Sequence, residues 1–455
     1  MKVIKIGGGC LKGSQAAKDI LELITRRGQG DVFVVSAFYG VTNILLQGIE
    51  NALEDEASVA DTMAGLRDLH ASLIDDLIGD GADSHGVLAQ LDPVFKRLER
   101  YYYGIAFTRE ATPRMQDMVA SFGERLSAII LVAAIQSRGK KALLGLPEEM
   151  GIISDGKFMD ASARLEITRE NLTAYLGQHM DSETVLFVPG FYGICERGEI
   201  TTFGRGGSDY SAAVVAAASS ASVLEIWKDT EGFMTADPDN IPHCQLIPSL
   251  TYEEAAELAY TGAGILHPRT VEPVKRAGIS IAIKNTFNPD APGSLISGEA
   301  VTAERVVKSV SYTKDVSILK VHGPGVGARP GLLSLIAGAL GEQNINIKSV
   351  VTSQTCISLL LGKDEIKKAK KALEAIEPAP FSHLASKDQV ALVSIVGHGL
   401  HQYHGIAAKC FSAVSKADVN IEMISFGTSD AALYFLVDAK SLDPTIQALH
   451  TRFFD

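Results

Sequence analysis

The sequence is poor in cysteine and in positive charge, and it has no long apolar run. Its five cysteines are scattered over 455 residues without the paired spacing of a zinc or disulfide framework. The formal net charge of −12 argues against a nucleic-acid or anionic-membrane surface, because both need a basic footprint. The longest apolar run, residues 128–135, is far shorter than the ~18 residues of a membrane span.

The opening residues, MKVIKIGGG, also lack the apolar core of a signal peptide. We therefore expect a chain that is neither exported nor inserted in a membrane and that works in a reducing, cytoplasmic compartment. Hydrophobic residues make up 46% and charged residues 21% of the chain, which is typical of a globular protein with a large core. The length predicts roughly three domains, and the acidic balance favours small-molecule chemistry.

The most informative stretch is residues 201–210, TTFGRGGSDY. It opens an alanine-rich segment that predicts a helix over residues 211–221, with Ser208 and Asp209 at its start, where short polar side chains cap helices. Glycines before a helix let backbone amides approach an anion, and Arg205 adds a fork that matches a carboxylate or phosphate. A capped helix after a tight turn is the ordinary alternative. The flanking Arg205 and Asp209 favour an anion site.

A second glycine loop follows the first predicted strand, Val3–Ile6, and precedes a helix predicted over residues 14–26. Lys5 stands just before the loop, whose backbone amides can hold phosphate oxygens while the ammonium lies over the transferring group. The spacing differs from that of a Walker loop, and three glycines alone are a weak signal. The interpretation depends on the rest of the chain.

Short buried strands alternate with helical segments to about residue 290, which predicts a doubly wound α/β sheet with ligands at the carboxyl ends of its strands. The further strands are predicted at residues 31–37, 142–144, 185–188, 223–227 and 280–283. The stretch from about 50 to 112 has a helical period and predicts a helical insertion. Residues 289–298 are rich in proline, glycine and serine, and they predict a domain boundary.

The last third of the chain contains an internal repeat. SILKVHGPGV begins at Ser317 and ALVSIVGHGL begins at Ala391, 74 residues later, and the same offset carries Asn346 onto Asn420. Each copy reads as strand, glycine-containing loop, helix and two further strands, which predicts paired small α+β modules. A ligand-sensing pair and a purely structural or dimerising domain are both compatible with this pattern.

Taken in order, these motifs resemble those of the aspartate kinases over nearly the whole chain. The residues that carry the resemblance are Lys5-Ile6-Gly7-Gly8, Ser36, Thr42, Phe122-Gly123-Glu124-Arg125, Gly204–Asp209, Ala236-Asp237-Pro238 and Leu266-His267-Pro268. The resemblance implies an amino-acid kinase fold, mainly a parallel sheet with helices on both faces, over residues 1–300. Two ferredoxin-like ACT domains would follow, at residues 301–383 and 384–455.

The family's activity is the ATP-dependent phosphorylation of the β-carboxylate of L-aspartate, the first step towards lysine, threonine and methionine. The resemblance implies that Lys5 and Asp209 are catalytic, with Asp209 orienting Lys5 or helping to place Mg²⁺. It implies ATP and Mg²⁺ as cofactors, no resident metal, and a homodimer or dimer of dimers with no nucleic-acid or membrane partner.

The same resemblance assigns the binding residues. The substrate-binding residues are Thr42, Glu124, Phe191, Arg205 and Ser208, with Glu124 on the α-ammonium and Arg205 on a carboxylate of aspartate. The nucleotide-binding residues are Lys5, Gly7, Gly8, Ser36, Lys228, Asp229 and Phe233. A feedback amino acid would bind the first ACT module at Ala328, Pro330, Gly331, Leu332, Asn344, Ile345 and Asn346.

The chain departs from the common family pattern near the nucleotide. Cys10 replaces a serine, Lys228 replaces a threonine, Gly264 replaces a lysine and Asp239 replaces an arginine. We expect Lys228 or Arg269 to stand in for the missing cations. Two alternatives remain at this point: a catalytically weak homologue that senses amino acids, favoured by the last two replacements, and a kinase for another amino acid.

Overall fold

The computed structural model describes residues 1–79, 81–262, 264–298 and 306–455. These residues form two compact units, and the predicted domain boundary at residue 300 lies outside the described residues. The first unit holds residues 1–233, 246–259 and 264–298. The second holds residues 234–245, 260–262 and 306–455.

An eight-stranded sheet forms the centre of the first unit, in the order β3-β4-β2-β1-β7-β9-β10-β8. Neighbouring strands are parallel except β9 and β10. The strands of the sheet are β1 (Val3–Ile6), β2 (Val32–Val35), β3 (Ala142–Leu144), β4 (Val185–Pro189), β7 (Leu224–Lys228), β8 (Ser249–Thr251), β9 (Ile281–Asn285) and β10 (Ser294–Ser297), and a separate hairpin pairs β5 (Tyr192–Ile194) with β6 (Ile200–Thr202).

Helices connect these strands. They are α1 (Gly13–Arg27), α2 (Val41–Glu54), α3 (Ser58–Ile78), α4 (Ala82–Thr108), α5 (Pro113–Gln136), α6 (Pro147–Met150), α7 (Leu165–His179), α8 (Gly207–Ser219), α9 (Tyr252–Tyr260) and α10 (Val271–Ala277). The stretch predicted as a helical insertion thus contains the last residues of α2 and the whole of α3 and α4. The predicted fold class, a mostly parallel α/β sheet followed by small α+β modules, is confirmed.

Strand β1 shows how the alternation of side chains positions the site. Ile4 and Ile6 lie in the core that contains residues of α1 and α5. Successive side chains of a strand point to opposite faces, so Lys5 faces the other side of the sheet, where α8 packs against β1, β2 and β7. The chain thereby buries a lysine at the carboxyl end of a central strand, beside the start of a helix.

Helix α5 is long and apolar enough to cross a membrane by its length and composition. However, 83% of its most apolar window is buried inside the protein. Its residues Leu126, Ile130 and Leu131 are fully buried in the core of the first unit. We therefore interpret α5 as a core helix, and its apolar character follows from packing on all sides.

The second unit contains two four-stranded antiparallel sheets with helices, in the orders β13-β14-β12-β15 and β11-β16-β18-β17. Its strands are β11 (Ser309–Thr313), β12 (Ser317–His322), β13 (Ser349–Thr352), β14 (Cys356–Leu361), β15 (His383–Lys387), β16 (Val390–Val396), β17 (Ile421–Phe426) and β18 (Ala432–Asp438). Its helices are α11 (Leu332–Glu342), α12 (Ile366–Glu374), α13 (Ile406–Lys416) and α14 (Leu442–Phe454).

The two modules exchange strands. Strand β11 precedes the first module along the chain, yet it pairs with β16 of the second, and β15 pairs with β12 of the first. The internal repeat accounts for β12 to β14 and for β16 to β18. The exchanged strands lie outside the repeated pattern, which is why the sequence repeat alone did not predict them.

Two local predictions were wrong. The stretch 289–298, predicted as a boundary, contains β10, which pairs with β8 and β9 inside the main sheet. The helix predicted to begin at Ser211 begins at Gly207 instead. Its N-cap is Gly206, which has φ 72°, so a glycine in the left-handed region starts the helix and neither Ser208 nor Asp209 occupies the cap position.

Candidate active site

A cleft of about 550 Å³ opens at the carboxyl ends of β1 and β2 and at the start of α8. It lies where a doubly wound sheet places its ligands. The predicted residues that line it are Lys5, Gly8, Ser36, Thr42, Glu124, Phe191, Arg205, Ser208 and Asp209. The fold therefore brings together residues that are up to 204 positions apart in the chain.

An ion pair between Lys5 and Asp209 lies on one wall of this cleft. The Lys5 Nζ is 2.6 Å from Asp209 Oδ1, and both side chains are less than a tenth exposed. Burial by itself raises the pKa of Asp209, but the charges of Lys5 and Lys228 outweigh it and hold this pKa below its usual value. Asp209 is therefore ionised at neutral pH.

Lys228 supplies a second ammonium beside the same carboxylate. Its Nζ lies 3.8 Å from Asp209 Oδ2 and donates a hydrogen bond to the backbone carbonyl of Gly264 at 3.3 Å. Strands β1 and β7 are neighbours, so Lys5 and Lys228 both reach the carboxyl edge of the sheet next to Asp209. Burial lowers the pKa of Lys228, while Asp209 raises it. The ammonium of Lys228 thus reaches the backbone at the position where the family commonly has a lysine.

The glycine pair before α8 is required by close packing. A Cβ atom on Gly206 would lie 2.4 Å from the His267 ring, and φ is 72° at this position. A Cβ on Gly207 would lie 2.7 Å from the ring of Phe191. A larger residue at either position would displace an aromatic ring beside the cleft, so these glycines serve both the helix start and the shape of the site.

Glu124, on α5, also lines the cleft and is only 3% exposed. Burial raises the pKa of Glu124 to about 8. Interactions with the Ala37 backbone, the Ser208 side chain and the charge of Lys5 lower this pKa, but burial outweighs them. Its Oε2 atom has no hydrogen-bond partner among the described residues. A buried carboxyl oxygen without a partner beside a cleft is suited to bind a cationic group.

Arg205 is exposed at the cleft, and its guanidinium makes no ion pair or hydrogen bond within the part of the chain that the structure describes. It is therefore available to a carboxylate or phosphate. Thr42 lies in the first turn of α2, and Phe191 has φ 76° and lies beside Gly207. Ser208 lies beside Glu124, and all five predicted substrate residues line the cleft.

The predicted nucleotide residues are only partly brought together. A Cβ on Gly7 would stand 3.3 Å from the Lys5 Nζ, and one on Gly9 would stand 3.5 Å from Asp229 Oδ2. Gly8 and Ser36 line the cleft. Phe233 does not, because its side chain is buried and its backbone amide donates to Ser294 Oγ at 2.9 Å.

Arg269 is engaged elsewhere, contrary to one of the two expectations for the missing cation. Its guanidinium donates to Asp160 Oδ1 at 2.8 Å and to the backbone carbonyls of Phe203 and Ala161 at 2.9 and 2.6 Å. It also lies over the ring of Tyr210, 4.7 Å from its centroid. Arg269 therefore ties the loop around residue 160 to the segment that precedes α8, and Lys228 is the cation that reaches the ion pair.

Sequence reasoning missed a second connection to the same loop. Asp117 on α5 accepts a hydrogen bond from the Thr202 hydroxyl at 2.5 Å and one from the Met159 backbone amide at 2.9 Å. Met159, with φ 66°, lines the cleft together with Asp117 and Thr202. No local motif signals this arrangement, because its three residues come from three distant segments.

Cys10 does not replace the hydroxyl that the family commonly has near the phosphates. Its thiol is buried, donates to the Trp227 carbonyl at 3.2 Å and accepts from the Thr286 hydroxyl at 3.0 Å. Burial raises the pKa of this thiol. The side chain is thus part of the packing behind the glycine loop.

The residues predicted to bind an effector flank α11 in the second unit, with residues 328–332 at its start and residues 344–346 after its end. Ala328, Pro330, Gly331, Asn344 and Asn346 are exposed, whereas Leu332 and Ile345 are buried. Gly331 has φ 83° and is the N-cap of α11, and no side chain caps that helix. The first backbone amides of α11 therefore lie beside an exposed loop.

Comparison with known proteins agrees with this geometry. Residues 1–285 match the amino acid kinase family, and residues 319–376 and 393–453 match the ACT domain. Over its whole length the chain is 30% identical to aspartokinase 1, chloroplastic, of Arabidopsis thaliana, of which it covers 80%. The chain belongs to the aspartokinase family.

Other aspartokinases extend beyond this chain. The bifunctional aspartokinase/homoserine dehydrogenase of Haemophilus influenzae is 29% identical over the whole chain, which spans only 57% of that protein. The crystal structure of Escherichia coli aspartokinase III with aspartate and ADP has a TM-score of 0.85, 23% identity and complete coverage of both chains. At this identity the structural likeness shows the fold alone.

These findings confirm the predicted family, the fold and the prediction of an enzyme of the phosphotransferase class. They do not favour the alternative of a catalytically weak sensor. The aspartokinase relatives also agree with the predicted place of the chain in amino-acid biosynthesis.

Proposed function

We propose that the cleft phosphorylates the β-carboxylate of L-aspartate with ATP and gives 4-phospho-L-aspartate. The observation that carries this proposal is the arrangement of charges in the cleft: two lysines flank Asp209, and Glu124 presents an unpartnered carboxyl oxygen. An amino acid with an ammonium and a carboxylate matches this arrangement. The family relationship supports the same activity.

The reaction needs no general base. The side-chain carboxylate of aspartate has an ordinary pKa near 3.9, so it is already an ionised nucleophile at neutral pH. Catalysis then consists of placing this oxygen in line with the γ-phosphoryl group and stabilising the charge on the transferring oxygens. Lys5, at the end of β1 and beside the glycine loop, is the residue that we assign to this stabilisation.

Asp209 orients Lys5 in this scheme. The sequence left open whether Asp209 would do this or would help to place a metal ion. Both of its oxygens face ammonium groups, at 2.6 Å for Lys5 and 3.8 Å for Lys228. These contacts support the orienting role, because a carboxylate engaged by two cations is a poor ligand for a third.

Aspartate is oriented by groups of opposite charge at its two ends. Glu124 would bind the α-ammonium, because that group satisfies its Oε2 and offsets the cost of ionising a buried carboxyl. Arg205 would bind the α-carboxylate bidentately. Thr42, Phe191 and Ser208 complete the pocket, which leaves the β-carboxylate directed toward the ion pair.

ATP would lie along the glycine loop, with Gly7, Gly8 and Ser36 at its phosphates and Lys228, Asp229 and Phe233 in the adjoining segment. Phe233 would act only indirectly, through the loop that its buried side chain anchors. Mg²⁺ would arrive with ATP and neutralise its β- and γ-phosphates. Asp229 fits this ion, since its carboxylate is exposed beside Gly9 and, although its charge raises the pKa of Lys228, it forms no direct ion pair among the described residues.

The activity is tested by trapping the acyl phosphate with hydroxylamine in the presence of ATP and Mg²⁺. We expect aspartyl hydroxamate with L-aspartate and none with L-glutamate. Lys5→Ala should abolish the signal, whereas Lys96→Ala, a matched change in an exposed i,i+4 pair, should leave it unchanged. Product formation that survives in Lys5→Ala would overturn the assignment of Lys5, and absence of product in the unmodified chain would overturn the activity.

We further propose the domain limits 1–300, 301–383 and 384–455. We also propose a cytoplasmic location, although several plant relatives are named chloroplastic. For assembly, we propose a homodimer or dimer of dimers formed through the ACT domains. The relevant observation for assembly is an apolar surface on the first module, where Leu333 and Leu335 of α11 and Val350 and Val351 of β13 are exposed. Light scattering of the full chain tests the assembly, and a monomer would contradict it.

Feedback by an end-product amino acid is proposed at the start of α11. E. coli aspartokinase III has been solved in complex with lysine and aspartate, which supports an amino-acid effector for this family. Because the first amides of α11 have no side-chain cap and follow the exposed Pro330 and Gly331, this helix start can receive a carboxylate. If Gly331→Trp leaves inhibition by lysine, threonine and methionine unchanged in a chain that one of them inhibits, this placement is wrong.

A further inference from the structure

Two histidines and an aspartate meet on the second unit, outside every site described above. They are His243, His450 and Asp455. Each offers one ligand atom, and the three atoms lie within 4.8 Å of one another. The residues come from the loop 234–245 and from the end of α14, so the fold brings together positions that are more than two hundred residues apart.

The central member of this cluster is held in place. His450 is 1% exposed, and its Nε2 lies 3.1 Å from the Thr235 hydroxyl. Its ring also stacks on Phe454, with the centroids 4.8 Å apart, and meets the His243 ring edge-on at 5.4 Å. An outer partner that fixes the plane of a histidine ring is a regular feature of metal sites, because it sets the direction of the ligand nitrogen.

We propose that His243, His450 and Asp455 bind a divalent transition-metal ion of the Zn²⁺ class. Two imidazole nitrogens and one carboxylate oxygen are a ligand set that suits Zn²⁺, with a fourth position left to water. The ion would draw the exposed His243 and Asp455 side chains inward, since the three ligand atoms lie within 4.8 Å of one another and these two side chains face solvent. The ion would tie the loop 234–245 to α14 within the second unit.

The proposal is tested by calorimetric titration of the chelator-stripped full chain with Zn²⁺ alone, and with Mg²⁺ for comparison. We expect one Zn²⁺ per chain and no matching Mg²⁺ signal, because histidine nitrogen is a poor ligand for Mg²⁺. His243→Ala and Asp455→Asn each change an exposed residue and should keep the fold. Each should weaken binding by at least about tenfold, the order found when a metal site loses one supporting contact.

The matched control is His401→Ala, which removes another exposed histidine of the second unit. The Nδ1 atom of His401 lies 3.4 Å from Asp430 Oδ1. It should retain the affinity of the unmodified chain. Zn²⁺ should also raise the melting temperature of the unmodified chain but not of His243→Ala, because an ion that binds only the folded state stabilises it. Equal affinity in His243→Ala and the unmodified chain, or an equal loss in His401→Ala, would overturn the site. Both outcomes concern zinc binding alone and are independent of the hydroxamate assay for the kinase activity.

Discussion

Two buried carboxyl groups line the cleft, Asp209 and Glu124, and they are in opposite states. Asp209, 6% exposed, lies between two lysines, which hold its pKa below the usual value. For Glu124, 3% exposed, hydrogen bonds and the charge of Lys5 offset burial only in part, and burial raises its pKa to about 8. Nearly equal burial therefore gives different charges, because the neighbouring cations decide the outcome.

This difference separates the roles of the two carboxyl groups. In the proposed function, Asp209 is ionised before any ligand arrives, and the two lysines beside it leave a net positive charge for the phosphoryl group. Glu124 would take its balancing cation from the substrate ammonium. The comparison predicts that changes at the Asp209 ion pair act on the rate of transfer and that changes at Glu124 act on the binding of aspartate.

The largest effect is expected from Asp209→Asn, which removes the charge between Lys5 and Lys228 without a change of shape. The two ammonium groups would then repel each other, and Lys5 would lose its orientation. We expect kcat to fall by about 10²-fold, the order seen when one group that stabilises the transition state is lost. Steady-state kinetics with hydroxamate detection measure it.

Asp181→Asn provides the control for this variant, because it changes an exposed aspartate that pairs with Lys141. Its kcat should equal that of the unmodified chain. If Asp209→Asn retained full kcat, the ion pair would not be part of the transfer step.

Glu124→Gln should act mainly on aspartate. The amide keeps the shape but cannot offer a negative charge to the ammonium. We therefore expect the KM for aspartate to rise by about 10- to 100-fold, which corresponds to about 1.4 to 2.7 kcal/mol, the range of a charged hydrogen bond. The KM for ATP should stay constant. An equal increase in both KM values would show that Glu124 is not specific to the amino acid.

The pKa of about 8 also predicts a dependence on pH. In the proposed function, aspartate binds the ionised form of Glu124, and the fraction of this form decreases below pH 8. The KM for aspartate should therefore increase as pH falls from 8 to 6, with a slope that approaches about tenfold per pH unit. In Glu124→Gln the dependence should be flat over this range. A flat profile in the unmodified chain would mean that Glu124 is already ionised in the empty protein.

The raised pKa of Glu124 also affects the stability of the empty protein: aspartate binding improves as pH rises, whereas the contribution of Glu124 to stability decreases. The folded state holds a proton on Glu124 that the unfolded chain releases from about pH 4.5 upward, so this group's contribution to the free energy of unfolding decreases between pH 4.5 and pH 8. Glu124→Gln should therefore lose less stability over that range. Denaturant titrations at several pH values, compared between the two proteins, measure the difference.

A smaller effect is expected from Arg269→Lys, which keeps the charge but loses the planar fork. Lysine cannot contact Asp160, Ala161 and Phe203 together, so the loop that carries Met159 should loosen. We expect a several-fold increase in the KM for aspartate with little change in kcat. Arg276→Lys, in an exposed i,i+4 pair, is the matched control, and an equal response of the two variants would remove the argument for the loop.

The sequence predicted the residues that belong to compact motifs. Lys5, Glu124, Arg205 and Asp209 were all identified from stretches of four to ten residues, and the structure places them at one cleft. A short stretch was enough to identify these residues, because the residue types at each strand or helix end themselves indicate a binding site. The repeat in the last third likewise predicted β12 to β14 and β16 to β18.

The remaining features depend on contacts between distant segments. Asp117, Met159 and Arg269 act through partners that are forty or more residues away, and no periodicity or turn signal reports such pairs. Strand β10 has only four residues in a stretch rich in proline and glycine, so its composition indicated a loop. The charge states of Glu124 and Asp209 depend on burial and neighbours, which a sequence pattern does not contain.

The most direct test of the comparison between the two carboxyl groups is the release of protons when aspartate binds at pH 7. Calorimetric titration in buffers of different ionisation enthalpy counts these protons. We predict that the unmodified chain releases close to one proton per aspartate, because binding ionises Glu124, and that Glu124→Gln releases none. Binding without proton release in the unmodified chain would contradict the account, since both carboxyl groups would then be ionised before the substrate arrives.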